Sequence, residues 1–354
     1  MSAPTVSVLM TMFDAAPHLR ASVESILAQT FGDFEFVIVD DGSRDDSMAI
    51  VESYRDARIR LVRNDRNKGQ TPCLNQGLAL ARGAWVARQD ADDISLPRRL
   101  ERQMARLRRD EKLALLGCQA WLVDDGGKFT GLLDVALGPE SIEWAGLWEN
   151  PFIHTAAIFR REVVARLGGY DESFRICQDY DLWMRVAAEH PAANLSGRLV
   201  VYRHAAQSLQ HSGRETVREE SRRVLRRVVA QAFGEALGDG ELDVLMRFRE
   251  GVTAAGLAEF REVYASLLDR YAAAHPVVAD TREFRRTCAL HRAKIGRGVA
   301  AERPLAGLAE LGRAFMLDPA LLIHLAVERL TGARVLARQS SLGFSPNAAR
   351  ETLD

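Results

Sequence analysis

The sequence predicts an α/β protein with a Rossmann-like, mostly parallel sheet flanked by helices and an α-helical C-terminal region. Over the first hundred residues, short apolar runs alternate with segments of helical periodicity, a pattern that produces right-handed crossovers between parallel strands. Two of the apolar runs end abruptly in acidic clusters. Beyond Gly213 the helical period continues without strand-like runs, which indicates a change of architecture there.

The N-terminal elements follow one another in a regular order. Pro17 opens the first helix, Ser43 is the expected N-cap of the second, and Thr71 with Pro72 starts the third, because proline suits the first helical position. The apolar runs between these helices predict strands at 6–12, 34–39, 59–62 and 84–87.

The pattern is less regular from 113 to about 212. A helix is expected after Asp179, and a domain boundary is placed at 213, giving a first domain of 1–213 and a helical region of 214–354. The last two predicted helices, 305–317 and 320–330, could pack on the first domain, join two copies of the chain, or lie on a membrane surface. Further strands are expected at 113–117, 121–123, 156–159 and 199–202.

Composition excludes some classes of protein. The chain has 47 basic and 48 acidic residues, and this balance argues against a general nucleic-acid binder. Its four cysteines show no metal-ligand spacing, which favours a reducing compartment. No apolar run approaches the roughly 20 residues needed to cross a bilayer, so we expect a cytoplasmic protein without a signal peptide, which still leaves peripheral contact with a membrane open.

The acidic clusters are the strongest chemical signal. They are Asp40-Asp41 and the stretch from Asp90 to Asp93, each directly after a predicted strand. Ligands bind beyond the carboxyl ends of parallel strands, and Mg²⁺ or Mn²⁺ bound there by carboxylates can neutralise a departing diphosphate. The alternative is that these aspartates solvate a turn and cap the helix after Pro97.

Seven segments occur in the order typical of one family, and the similarity runs from about Val6 to about Tyr202, which is more than half of the chain. They resemble the family-2 inverting glycosyltransferases, which have the GT-A fold. The segments are 6–11, 29–31, 39–43, 67–69 with Asn75, 90–93 with 96–100, 150–154 with 168–171, and 178–183.

The resemblance implies a nucleoside-diphosphate sugar donor, chiefly a UDP-sugar, Mn²⁺ or Mg²⁺ as cofactor, and a glycan or glycolipid acceptor in polysaccharide or O-antigen synthesis. It implies Asp179 as the catalytic base. Either Asp41 or Asp40 would read the nucleotide base. The other implied residues are Thr11, Asn67, Gly69 and Asp90 for the donor nucleotide, Asp92 and His204 for the metal, and His154 and Trp183 on the acceptor side.

Three departures from the family pattern bear on these roles. Leu74 stands where arginine is common, Gln178 stands where glutamate is frequent, and His204 needs a one-residue gap to align. His204 is therefore either a metal contact or a surface histidine, and His154 is either a site residue or a buried histidine bonded to backbone.

Other interpretations remain for parts of the sequence. Trp121, Trp144 and Trp148 could form an acceptor platform, but the helical spacing of the last two favours a core. The arginines between 214 and 227 either meet anionic lipid headgroups or form a solvated face paired with interleaved glutamates.

Three other functions compete with that of a glycosyltransferase. A sugar nucleotidyltransferase would need a glycine-rich loop after the first strand, and residues 11–17 contain no glycine. An aspartyl phosphatase with Asp90 as nucleophile would leave Asp179 without a role. A non-catalytic nucleotide-sugar-binding scaffold would be favoured by loss of Asp92 or Asp179, and both are present.

Overall fold

The computed structural model describes residues 3–204, 213–234 and 236–319 of the 354-residue chain. These residues form two compact units. The first contains 3–133 and 152–204, and the second contains 134–151 together with the helices from 215 onwards. Segment 134–151 was expected in the first domain, but it belongs to the second unit.

Within the described residues, nine strands form one sheet in the order β3-β2-β1-β4-β8-β6-β9-β5, with β7 paired to β6. Strands β1 to β4, β6 and β9 run in the same direction, which confirms the mostly parallel sheet. The strands are β1 Val6–Met12, β2 Phe34–Asp40, β3 Ile59–Arg63, β4 Trp85–Asp90, β5 Ile94–Ser95, β6 Leu115–Val123, β7 Phe129–Leu133, β8 Ile158–Arg160 and β9 Ala192–Arg203.

Helices connect and cover these strands, and they also make up the second unit. Both β1 and β2 are buried along their whole length, as expected for parallel strands covered on both faces. The helices are α1 Ala16–Leu27, α2 Ser47–Glu52, α3 Gln70–Leu80, α4 Arg99–Arg109, α5 Pro139–Trp148, α6 Arg161–Arg166, α7 Gln178–Glu189, α8 Arg214–Phe233, α9 Asp239–Glu250, α10 Leu257–Ala274, α11 Pro276–Ala279, α12 Arg282–Ala300 and α13 Pro304–Leu317.

Several local predictions were wrong. The strands expected at 113–117 and 121–123 are one continuous strand, β6, and the region expected to start a strand at 156 begins with a 3₁₀ turn, His154–Ala156. Ser43 does not cap α2, because that helix begins at Ser47 and the Ser43 hydroxyl instead accepts the backbone N–H of Asp14 at 3.1 Å. The hydroxyl therefore joins two turns.

The second unit has an aromatic core. Trp144 and Trp148 of α5 are both 0% exposed, with ring centroids 5.4 Å apart. Tyr264 of α10 packs against both rings, at 5.7 and 4.8 Å between centroids. This confirms the interpretation of these tryptophans as core, and it explains why α5 belongs to the helical unit.

The basic run on α8 forms ion pairs with a neighbouring helix. Arg218 pairs with Glu250, and Arg222 pairs with Asp243, both on α9. A salt-bridged face is therefore present, but these partners lie on another helix and not one turn away on α8. Among the described residues, no helix is long and apolar enough to cross a membrane, and the helix expected at 320–330 lies outside them.

Glu35 on β2 is a buried carboxylate that joins three segments of the first unit. It is 3% exposed and accepts hydrogen bonds from Ser7, Arg60 and Arg82 at 2.7 to 2.8 Å. Burial alone would raise its pKa, but these hydrogen bonds outweigh burial and hold the pKa at about 2. Its ionised form therefore stabilises the fold.

We expect Glu35→Gln to lower the free energy of unfolding by about 2–3 kcal/mol at pH 7. Because the folded pKa is depressed, this stabilisation is present above about pH 4.5 and is lost as the pH falls towards about 2. Urea unfolding of wild type and variant at pH 7, 5 and 3 measures the difference. Glu52→Gln, on the exposed end of α2, is the control, and a Glu35 difference that is constant across pH would contradict a role for its charge.

Candidate active site

The two acidic clusters lie at the carboxyl edge of the parallel strands. Met12 at the end of β1 is in register with Asp40 at the end of β2. Thr11 is in register with Asp90 at the end of β4. Since β1 lies between β2 and β4, the sheet places Thr11 beside Asp90, and Asp40 lies one residue further along the same edge.

Asp40 organises the turn after β2. It is 0% exposed, its Oδ1 accepts the backbone N–H of Ser43 at 3.1 Å, and its Oδ2 lies 3.7 Å from Nε of Arg63. The Asp40 carboxylate therefore stabilises the turn in which it lies. Asp41 is buried as well, at 3% exposed, so burial alone does not decide which of the two aspartates contacts a nucleotide base.

Asp41 holds the loop that precedes α3. Its two carboxylate oxygens accept the backbone N–H groups of Lys68 and Gly69, each at 2.8 Å. The side-chain oxygen of Asn67 also accepts the N–H of Gly69, at 3.1 Å. The structure thus brings the expected donor residues Asp41, Asn67 and Gly69 into one loop.

Gly42 allows the close approach of this loop to the turn after β2. Its φ is +77°, and a Cβ atom at this position would lie 2.9 Å from the backbone carbon of Arg66. Such a contact is too short for any side chain, so residue 42 has to be glycine for the loop to keep this position.

Negative charge is concentrated at the end of β4, where three aspartates lie close together: Asp90, Asp92 and Asp93. Burial, followed by the charge of Asp90, raises the pKa of Asp92 to about 6. Asp93 is 1% exposed, and burial, then Asp92 and Asp90, raises its pKa well above the usual range. One Asp93 oxygen accepts the backbone N–H of Arg203 at 2.7 Å, so Asp93 anchors β9 to the turn.

This excess of negative charge fits a divalent cation. In the described part of the chain, no three His, Cys, Asp or Glu side chains converge on one point, but Mg²⁺ commonly takes only one or two carboxylates together with phosphate oxygens and water. Asp92 is partly exposed at this turn. His204 is exposed at the end of β9, where its backbone N–H donates to Val123 at 2.8 Å.

Arg203 is a site residue that the sequence did not identify. Its guanidinium donates to the backbone carbonyls of Asp92, Asp124 and Asp125 at 3.2, 2.9 and 2.8 Å. It therefore joins the acidic turn to the hairpin between β6 and β7. Nothing in the sequence marks this contact, because its partners lie 78 to 111 residues away.

His154 lies against the acidic turn and not on an open surface. Its Nε2 is 3.0 Å from Nε of Arg88 and 3.1 Å from the Tyr170 hydroxyl, and its Nδ1 is 3.9 Å from Oδ2 of Asp90. Burial, followed by the charge of Arg88, lowers its pKa to about 3. His154 is therefore neutral at physiological pH.

Trp183 is a buried residue that packs against His154 and Tyr170. It is 0% exposed, and its ring centroid lies 6.1 Å from those of both His154 and Tyr170. The sequence had placed Trp183 on the acceptor side, but a ring buried to this degree packs beneath His154 and does not line a binding surface. The helical spacing of Trp183 with the other buried residues of α7 is also what a core position would show.

Asp179 shares the site with the acidic turn. It lies in the first turn of α7, and its Oδ1 accepts the backbone N–H of Tyr180 at 2.7 Å. The Tyr202 hydroxyl reports on its surroundings: burial raises the Tyr202 pKa, and the charges of Asp93, Asp90, Asp92 and Asp179 raise it further. The negative charges of four carboxylates thus raise the pKa of one hydroxyl, and Asp179 is among them although it lies far from the other three in the sequence.

Residues 7–168 match the family model described as Glycosyl transferase family 2. EpsE of Bacillus subtilis is 34% identical over 193 residues, which cover 53% of this chain and 68% of EpsE. The O-antigen biosynthesis glycosyltransferase WbnJ of Escherichia coli is 31% identical over 216 residues, which cover 58% of this chain and 82% of WbnJ.

Among solved structures, TarS residues 1–349 of S. aureus, in complex with UDP-GlcNAc, superimposes with a TM-score of 0.55. The two chains are 18% identical, and the superposition covers 88% of this chain and 89% of the TarS chain. At this identity the similarity is one of fold.

Proposed function

The chain belongs to glycosyltransferase family 2 and is a transferase enzyme of the GT-A fold; on this premise we propose that it moves a sugar from a nucleoside-diphosphate donor to an acceptor hydroxyl. The observation that carries this proposal is the placement of the acidic turns at one edge of the sheet, together with Asp179 in the first turn of α7, whose charge acts on the same Tyr202 hydroxyl as theirs. A donor site and a base are needed close together, and these carboxylates supply both.

The donor half consists of the turns at the carboxyl edge of the sheet. Asp41 follows β2 and binds the loop of Asn67 and Gly69, which follows β3, and Thr11 lies near the end of β1 beside them. A nucleotide base would be bound here. Asp90 would accept from the ribose. We propose UDP as the nucleotide, because UDP-sugars are the commonest donors that the resemblance to the family implies.

In the reaction, Asp92, with His204 as a further candidate ligand, would hold a Mn²⁺ or Mg²⁺ ion that neutralises the departing diphosphate. Asp179 would accept the proton of the acceptor hydroxyl as that oxygen attacks the sugar carbon. Its carboxylate is oriented by the N–H of Tyr180. One base and one departing diphosphate make a single displacement, which inverts the configuration at the sugar carbon.

The acceptor is proposed to be a glycan or glycolipid in polysaccharide or O-antigen synthesis, in line with the role of WbnJ. Contact with a membrane surface or a second copy is proposed for α13, on which Leu305 is 83% and Met316 is 79% exposed. Large apolar side chains in this state are typical of a surface with a partner.

A panel of activated sugars tests the function. UDP-, GDP-, dTDP- and CMP-linked sugars are incubated with the full chain, with and without Mn²⁺, and free nucleotide is measured together with thermal stability. We expect Mn²⁺-dependent stabilisation and nucleotide release with one base. Stabilisation without release or transfer for every donor would instead indicate a non-catalytic scaffold, and the absence of stabilisation by any nucleotide would refute both.

A further inference from the structure

Arg88 on β4 is a fully buried arginine two residues before Asp90. It is 0% exposed, its Nη2 contacts Oδ1 of Asp90, and its Nε donates to Nε2 of His154 at 3.0 Å. Its Nη1 donates to the backbone carbonyl of Leu9 on β1. A guanidinium is costly to bury unless its charge is paired and its donors are used, and here both conditions are met by residues of the site.

A second buried arginine shows that burial alone does not produce this arrangement. Arg99 is also 0% exposed, but it donates to uncharged groups, including Ser95 Oγ at 2.8 Å and Gln89 Oε1 at 3.2 Å. Arg99 therefore joins α4 to the sheet, whereas Arg88 bonds the side chains of Asp90 and His154.

The hydrogen bond from Arg88 fixes the tautomer of His154. A guanidinium has no acceptor, so Nε2 of His154 has to accept, and in the neutral ring the proton is then on Nδ1. That nitrogen is the one 3.9 Å from Oδ2 of Asp90. The Tyr170 hydroxyl, 3.1 Å from Nε2, can only donate to it.

Because of Arg88, the two carboxylate oxygens of Asp90 have different surroundings. Oδ1 is held by the guanidinium, while the neighbour of Oδ2 among the described residues is His154, at a distance too long for a hydrogen bond. The positive charge of Arg88 offsets that of Asp90, which makes Asp90 better suited to accept from a ribose hydroxyl than to bind a metal ion.

We propose that Arg88 is a positioning residue for donor binding, which holds Asp90 through Oδ1 and keeps His154 as the Nδ1-protonated tautomer. This inference rests on the proposed function, because it assigns Asp90 to the ribose of the donor. It separates the roles in the acidic turn, with Asp90 for the ribose and Asp92 for the metal.

Nuclear magnetic resonance tests the tautomer without any assay of activity. In ¹⁵N-labelled full-length protein, long-range ¹H–¹⁵N correlations distinguish the protonated ring nitrogen from the unprotonated one, and His154→Gln assigns the signals. We expect Nε2 of His154 to be unprotonated in the wild type. We also expect the ring to shift towards the Nε2-protonated form in Arg88→Met. A wild-type His154 with its proton on Nε2 would overturn the proposal, even if no substituted protein folds.

Donor affinity gives the second measurement. With the nucleotide that stabilises the wild type most, we expect Arg88→Met and Arg88→Lys to raise the dissociation constant by about 10–100-fold. Arg99→Lys is the matched control, and we expect it to lower thermal stability but to keep donor affinity. Unchanged affinity in Arg88→Met, or an equal loss in Arg99→Lys, would overturn the proposal. If no nucleotide binds the wild type, both the donor assignment and the proposed function are refuted. If His154 instead carries its proton on Nε2, only the inference about Arg88 is refuted.

Discussion

Asp179→Asn is expected to lower the turnover number by about 10²–10⁴-fold while the donor dissociation constant stays within about twofold of wild type. Asparagine has nearly the same shape as aspartate but cannot take up the acceptor proton. We assign Asp179 no contact with the nucleotide, so donor binding should not depend on its charge. Single-turnover rates and nucleotide titration on the same preparations measure both quantities.

Asp181→Asn on the same helix is the matched control. Asp181 is 1% exposed and its carboxylate pairs with Arg185 at 2.8 Å. This substitution should lower stability but leave the turnover of the folded protein nearly unchanged. Equal losses of donor affinity and turnover in Asp179→Asn would mean that Asp179 has a structural role.

Asp92→Ala is expected to abolish the effect of Mn²⁺ on nucleoside-diphosphate binding. In the presence of Mn²⁺ the dissociation constant should rise by at least about 10²-fold. Substituting residues that only support metal ligands already costs up to about that factor, and loss of a ligand itself should cost no less. Asp92 is partly exposed at the turn and carries a carboxylate whose ionised form is opposed by the charge of Asp90. A cation held there relieves this repulsion. Calorimetric titration with and without Mn²⁺ measures the effect.

Asp125→Ala controls for the general loss of negative charge. Asp125 is exposed and its charge also acts on Asp92, but we assign it no metal contact. We expect its removal to leave the Mn²⁺ dependence in place. If Asp92→Ala binds nucleotide with unchanged dependence on Mn²⁺, Asp92 is not a ligand of the metal.

The sequence was sufficient to predict the parallel part of the sheet. Strands β1 to β4 are apolar runs separated by helices of clear period, and the ends of each lie within about three residues of their predicted places. The two-residue strand β5, the hairpin strand β7 and the first half of β9 were not predicted. Their pairing depends on distant partners and on irregular register, for which a local pattern gives no signal.

The site was predictable to the extent that it depends on strand ends. Asp40, Asp41, Asp90 and Asp92 directly follow apolar runs, so their place at one edge of the sheet follows from topology. Arg88 and Arg203 could not be found in this way, because each bonds residues that are far apart in the chain. The burial of Trp183 was missed because a tryptophan beside a motif has the same sequence pattern whether it lines a site or supports it.

One measurement decides whether a metal-held donor and the Asp179 base form a single displacement site: the anomeric configuration of the first product. The wild-type protein is supplied with Mn²⁺, an acceptor and the donor that the panel selects, and the anomeric proton is followed by ¹H nuclear magnetic resonance as product forms. We expect the transferred sugar to have the configuration opposite to that of the donor, and transfer to stop when Mn²⁺ is removed. Retention of configuration, or transfer at the same rate without a divalent cation, would contradict a single displacement at this site.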